Sequence, residues 1–495
     1  MIRRNSPRGE EKILRPPAQP LDGQRCGWLA RAMLWVGTML ERSGGALLVL
    51  LLLAPLAAQA QAQVRAMTLP QALSWAHLHQ PSLLAARARV AASRAEAFIP
   101  RAAWYPRLAA NAQLLEGTTN NTTASYLAAP GLDVPRIGGT KTAATGSWSA
   151  SPSSFAAAGV RQEVFDFGRL AALSASADAL AETETARGEA AALDLDLAIT
   201  ESFLAVQAAK GVLQAADSAL KRATSHRDEA QAGVNAGMRK PIELTRAAAD
   251  VARFEVGKVR AAAGVTAAQG LFAAAVGIPD PLLDAEGEVP AAAAPPAMEA
   301  ALAMALARDP GLRAANALTV AQQERTRAIG AELRPDLTVT ATLSARAGGG
   351  PPTAGDVPSG GGYVPDVQNW DVGLVLSWPF FDRVVLARRD ASAEQEAARK
   401  AEADEERARL IATVQQDSVN FQAALEAVPA LERSLDAAKA NAAQADARFK
   451  AGLGNSVELA DAEGLLVEAE IELALGRFEA SRARARLGRA ISETP

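Results

Sequence analysis

The chain has 495 residues and carries a formal net charge of −4; it is 49% hydrophobic but only 4% aromatic. An acidic balance argues against nucleic acid as a partner, and abundant alanine with few aromatics suits long, closely packed helices better than one large globular core. The single cysteine, Cys26, excludes an internal disulfide framework.

Residues 1–62 read as a leader. Gly45 to Leu53 is a short apolar core, preceded by Arg42 and followed by Ala58-Gln59-Ala60, which is the pattern of a secretory signal peptide. The core is too short to cross a bilayer as a helix, which needs about 20 apolar residues, and no later stretch is expected to reach that length. The length of the leader points to translation starting at Met33 or Met39. A mature chain starting near Gln61 has no thiol for a disulfide or lipid anchor, and keeps 51 acids against 43 bases.

Next come a helix expected over 68–100, closed by Trp104-Tyr105-Pro106, and a strand with Leu108, Ala110, Ala112 and Leu114 opposite Arg107, Asn111 and Gln113. Residues 117–154, rich in Gly, Pro, Ser, Thr and Asn, read as a long exposed loop. A second strand would turn Ala156, Ala158 and Val160 to one face and Arg161 and Glu163 to the other. A helix over 168–236 follows, roughly 100 Å long, then a tight turn at Gly237 to Pro241 and a returning helix.

The same order then recurs. Leu73, Pro81, Leu83, Pro106 and Leu108 reappear as Leu302, Pro310, Leu312, Pro335 and Leu337; Phe165-Asp166 as Phe381-Asp382; and Gly237, Glu243 and Leu244 as Gly452, Glu458 and Leu459. The repeats are 63–296, with its hairpin at 107–166 and tip near 237–243, and 297–495, with its hairpin at 337–382 and tip near 452–458. In the second, a helix over 298–333 leads to a strand with Leu337, Val339, Ala341 and Leu343 on one face and Thr338, Thr340, Thr342, Ser344 and Arg346 on the other. After a loop over 348–369, Trp370, Val372, Leu374, Leu376 and Trp378 share a face. The two tryptophans are then roughly 26 Å apart at about 3.3 Å per residue, which matches the ~25 Å apolar band of a membrane β-barrel with an aromatic girdle at each rim.

The long helix over 384–451 holds Leu431, Leu435, Ala438, Ala442, Ala445 and Phe449 at 4-3 spacing, and the returning helix answers with Leu466, Ala469, Leu473, Gly476, Ala480, Ala483 and Leu487. These are seams for close antiparallel packing. Pro429 is expected to kink or break the longer helix.

This order, with the paired Pro-x-Leu segments at Pro106 and Pro335, the two Phe-Asp strand ends, and Phe449-Lys450-Ala451-Gly452 leading to Glu458 and Asp461, resembles the TolC family of outer-membrane efflux proteins over essentially the whole mature chain. The resemblance implies an α+β membrane protein. It would be a homotrimer whose twelve-stranded transmembrane β-barrel, four strands per chain, continues into a long periplasmic α-helical barrel. Four strands alone cannot close a barrel in lipid. The implied role is the outer-membrane exit duct of a tripartite efflux pump for drugs or toxic compounds. Its partners would be a periplasmic adaptor, an inner-membrane pump of the RND or ABC type, and outer-membrane lipid. The alternative is the duct of a type I protein secretion system. A passive porin would not need such long helices, nor a soluble coiled-coil scaffold the tryptophan band.

In the resembling proteins, two acids at the positions of Glu458 and Asp461 form a periplasmic gate. They are three apart and share a helix face, although acids also suit any helix N-terminus. The family's tyrosine–arginine latch is replaced here by Phe449 and Gly454, so Arg239, Lys240 and Arg246 are candidate counter-charges for the gate. Gly237, Pro241, Gly452, Gly454 and Asn455 form the tip turns that would meet the adaptor, and Trp370 and Trp378 the membrane girdle. His77, His79 and His226 are too dispersed for a metal site to be expected. No cofactor, catalytic set or enzymatic activity is expected.

Overall fold

The computed structural model describes residues 66–118, 150–279, 283–287, 294–347, 363–365 and 367–493. The signal peptide, the start at Met33 or Met39, Cys26 and most of the two expected loops lie outside these residues.

Proline divides the first helix of each half. After a short strand β1 (Ala66–Met67), the helix expected over 68–100 is three: α1 (Leu69–His79), α2 (Pro81–Glu96) and α3 (Phe98–Ala102). Gln80, before Pro81, is extended (φ −69°, ψ 119°), because the proline ring disfavours helical geometry in its predecessor. The second half repeats this, with Asp309 extended (φ −61°, ψ 123°) ahead of Pro310. Its two helices are introduced below.

From α3 the chain enters β2 (Arg107–Thr118) and β3 (Ala150–Phe165), then α4 (Arg169–Asn235), which returns as α5 (Pro241–Val276). A short strand β4 (Asp284–Ala285) pairs parallel with β1. The second half runs α6 (Met298–Arg308), α7 (Pro310–Ala331), β5 (Asp336–Ala347), β6 (Val367–Ser377), α8 (Arg383–Lys450) and α9 (Ser456–Ala490). Strands β3 and β6 begin inside the segments expected as loops.

The four long strands form one antiparallel sheet in the order β2-β3-β5-β6. Its register aligns Leu108 with Val160, Val160 with Ala341 and Ala341 with Val372, so the apolar sets of all four strands share a face. The opposite face buries Ala157, Thr338, Thr340, Thr342 and Ser344.

Helices α4 and α8 contain 67 and 68 residues and span roughly 100 Å each. Helix α4 packs on α5, α7, α9 and α2, while α8 packs on α9, α7 and α6. Helix α8 continues through Pro429 without a break. Helix α9 lies tightly along it just beyond that point, where a Cβ on Gly476 would run into Leu431 Cδ1. The expected seam is largely core: Ala442, Ala445, Phe449, Leu466, Ala469, Leu473, Ala480 and Leu487 are buried.

Helices α5 and α9 are about half as long as α4 and α8 and end midway along them. There Gln80 Nε2 donates to the carbonyls of Ala274 (3.2 Å) and Ala275 (2.7 Å), capping the end of α5 with the α1–α2 junction. Similarly, Arg489 near the end of α9 reaches Asp309 at 3.6 Å. Two apolar clusters fill this waist, one around Ile199, Phe203 and Phe272 and the other around Val414, Phe421 and Leu487. One expectation is corrected here. By length and composition α5 is apolar enough to cross a bilayer, because alanine and valine dominate it, although it pairs along its length with α4.

Candidate functional site

One face of the sheet is apolar and exposed. Trp370, Val372, Leu374 and Leu376 on β6, Leu343 on β5 and Leu108 and Leu114 on β2 are all exposed, Leu108 at 81% and Trp370 at 74%. Trp378 follows β6, and its indole Nε1 donates to the Leu333 carbonyl at 3.3 Å. The outer edges of β2 and β6 have no strand partner among the described residues.

Where the sheet meets the helices, Phe98, Tyr105, Phe165, Phe167, Trp378, Phe380 and Phe381 form a second exposed group, the kind of aromatic belt that marks a membrane interface. Only Trp378 of these was anticipated as part of a girdle; Phe165 and Phe381 were noted as strand ends, and the rest lie outside the strands, where no period of two singles them out. The Phe-Asp motif now has a physical role. Asp166 accepts from the backbone N–H of Gly168 (3.1 Å) and Leu170 (2.5 Å), and Asp382 from those of Val384 (2.7 Å) and Val385 (3.4 Å). Asp382 thus N-caps α8, and Asp166, two residues before the Gly168 cap of α4, accepts from the first turn of that helix, while the phenylalanine before each joins the belt.

The two far turns share one geometry. Gly237 (φ +72°) and Gly452 (φ +73°) take the left-handed conformation that glycine adopts without penalty. Met238 and Arg239 then donate backbone N–H to the Gly233 carbonyl, as Leu453 and Gly454 do to that of Arg448. Pro241 opens α5, and Asn455 caps α9, accepting from Val457 and Glu458 at 2.9 Å each.

Glu458 and Asp461 are exposed on the first turns of α9. Glu458 accepts from Arg448 Nε at 2.9 Å, a partner the sequence reading missed. The proposed counter-charges are placed differently from expectation. Arg239 lies over the Phe449 ring, with Cζ 3.6 Å from its centre, donates from Nη2 to the Phe449 carbonyl at 2.9 Å, and approaches Glu243 at 3.6 Å. Lys240 and Arg246 make no ion pair among the described residues. The α4–α5 tip is therefore tied to the α8–α9 tip by a guanidinium on a phenyl ring. Gly454 is needed for close approach, since a Cβ there would sit 3.2 Å from Phe449 N and 3.3 Å from Glu458 Oε2.

Behind the tips lies a polar cluster. Arg222 on α4 donates to Glu463 of α9 at 2.6 Å, and His226 Nε2 lies 3.5 Å from the same carboxylate. Burial of Glu463 raises its pKa, but His226 and Arg222 outweigh this and hold it below the usual glutamate value. On α8, Lys450 pairs with Asp446 at 2.9 Å and with Glu229 at 3.5 Å, and the Asp446 carboxylate raises the Lys450 pKa despite opposing desolvation.

The Outer membrane efflux protein family profile matches residues 72–277 and 301–493. No curated protein matches the chain. Among solved structures, the outer-membrane channel OprN superposes with a TM-score of 0.69 at 21% identity, covering 86% of this chain and 90% of that one. VceC from Vibrio cholerae gives 0.68 at 17% identity, covering 86% and 96%. The open state of the Neisseria gonorrhoeae MtrE channel gives 0.67 at 19%, covering 86% and 89%.

Proposed function

Because the chain belongs to the Outer membrane efflux protein family, whose members are outer-membrane channels with a periplasmic helical tunnel and not enzymes, we propose that it is the exit duct of a tripartite pump expelling drugs or toxic compounds. One observation carries the reading: a four-stranded sheet with a lipid-compatible face and two open edges stands at the end of helices roughly 100 Å long. Open edges are not tolerated in lipid. Two copies would give eight strands, whose interior is about filled by side chains, whereas three give twelve and leave room for a lumen. The exposed valines and leucine of α5, Val256, Val259 and Leu271, supply apolar surface for contact between copies.

In the trimer the exposed acids Glu458 and Asp461 of three chains would gather at the periplasmic mouth, six carboxylates that favour cations. The tip turns, including Gly237, Pro241, Gly452 and Asn455, would meet a periplasmic adaptor joined to an inner-membrane pump.

Three measurements test this. The detergent-solubilised protein should have three times the protomer mass by light scattering and should conduct ions in planar bilayers; a monomer without conductance refutes the duct. Photo-crosslinking from Leu453→Cys in cells then identifies the adaptor. Leu453 is 74% exposed, whereas Asn455 caps α9 and its loss would weaken the tip by about 1 kcal/mol. Capture of a drug-pump adaptor supports efflux, and capture of a secretion-type adaptor replaces it with protein export.

A further inference from the structure

The polar cluster behind the tips contains three side chains that can converge on one ion. His226, Glu229 and Asp446 each present a ligand atom, all within 4.8 Å of one another. We infer that they form a binding site for a divalent transition-metal ion, joining α4 to α8.

The orientation of the imidazole points to a ligand. His226 Nε2 faces Glu463 Oε1 at 3.5 Å, and that carboxylate is only 7% exposed and fixed by Arg222. A carboxylate on one ring nitrogen is the arrangement that directs the other nitrogen, lone pair outward, to a metal. That other atom, Nδ1, is buried and without a hydrogen bond, and so is Asp446 Oδ1, which lies 3.7 Å away. Bonds of 2.0–2.2 Å put the ligand atoms around tetrahedral zinc roughly 3.3–3.6 Å apart. The histidine and aspartate are therefore almost in place, and Glu229, three residues along the same helix face, closes the rest by a side-chain movement of about 1 Å.

Charge selects a dication. Glu229 and Asp446 carry two negative charges, and Lys450 bridges them with one positive charge. A divalent ion exchanged for the ammonium neutralises the pair, while Arg222 balances Glu463. The imidazole nitrogen favours zinc, copper or nickel over calcium or magnesium, which prefer all-oxygen sites. Three protein ligands leave a position for water. The site lies nine residues, or roughly 14 Å, before the end of α4.

The test is zinc titration of the detergent-purified protein, with a fluorescent zinc indicator as competitor. One zinc per protomer is expected. His226→Ala and Asp446→Asn should each abolish it while eluting at the wild-type position, Glu463→Gln should weaken it about 10- to 100-fold, and Lys450→Ala should tighten it. Wild-type protein that takes up no more zinc than His226→Ala, or zinc uptake that survives both ligand substitutions, overturns the site. Lys450→Ala binding no tighter than wild type overturns the exchange with the ammonium. Neither result bears on trimer mass or conductance, so the duct reading stands or falls separately.

Discussion

Removing the Arg239 side chain should loosen the tips. The guanidinium makes a charge-assisted hydrogen bond of 2.9 Å to the Phe449 carbonyl and sits 3.6 Å from the ring centre. The first contributes about 1.5–3 kcal/mol net and the second about 0.5–2 kcal/mol at a partly desolvated site. The pair with Glu243, at 3.6 Å, adds little at the surface. Arg239→Ala therefore costs the tied state about 2–5 kcal/mol per protomer, which shifts its opening equilibrium roughly 30- to 4,000-fold at 1.4 kcal/mol per decade. Phe449→Leu keeps the carbonyl and loses the ring contact, so its effect should be smaller. Gly233→Ala should act like Arg239→Ala, because its Cβ would lie 2.7 Å from Arg239 Cδ and push the arm aside. The assay is single-channel recording in planar bilayers, with antibiotic sensitivity of cells as a second readout. The expected result is a larger open probability for Arg239→Ala and Gly233→Ala. An Arg239→Ala protein that assembles normally and stays closed as wild type does would show that the tie bears no load.

Glu458→Gln combined with Asp461→Asn should abolish cation preference, read as a reversal potential near zero under a KCl gradient; unchanged selectivity would remove these acids from the pore mouth. Gly476→Ala should destabilise the α8–α9 pair by about 1–3 kcal/mol through its clash with Leu431, whereas Gly464→Ala, with open space around it, should be neutral or slightly stabilising in a thermal melt. Burial raises the pKa of half-buried Asp417 against the opposing pull of Arg486, so its ionised form costs stability at neutral pH and the cost vanishes as pH falls below its ordinary value. Asp417→Asn should thus raise the melting temperature at pH 7.5 but not at pH 3.5. Glu463 has the opposite sign, because its pKa is depressed: its contribution is present above the ordinary glutamate value and lost as pH falls through the lower folded one. Tip proteolysis should therefore accelerate on acidification in wild type and much less in Glu463→Gln.

The elements read most clearly from sequence were those with a strict period. Alternation located both hairpins, the 4-3 spacing located the α8–α9 seam, and glycine located both turns. The breaks at Gln80 and Asp309 were equally legible from the prolines that follow them, but helical periodicity on either side masked them. Strand starts at Ala150 and Val367 were hidden because small and polar residues serve the polar face of a strand as well as a loop. The tip chemistry depended on distance in sequence. Arg239 and Phe449 are 210 positions apart, and an arginine opposite a phenylalanine has no local signature. Glu463 is one of several acids along α9, and charge alone does not say which one turns inward. His226 and Glu229 were visible as helix neighbours, but Asp446 joins them only because the two hairpins pack side by side.

The waist gives the wall two storeys of different make. Towards the sheet, α2 and α7 stand beside α4 and α8; towards the tips, α5 and α9 take over, and the changeover is sealed by Gln80 and Arg489. Only α4 and α8 cross it without interruption, so any bending at this height would have to be taken up by those two helices while the other two columns pivot. The 35 residues of α9 form a lever of roughly 50 Å, and swinging it by about 10° would carry its tip through roughly 9 Å. A wall jointed at mid-height can thus move its mouth by the width of a small molecule while the strands in the bilayer stay still.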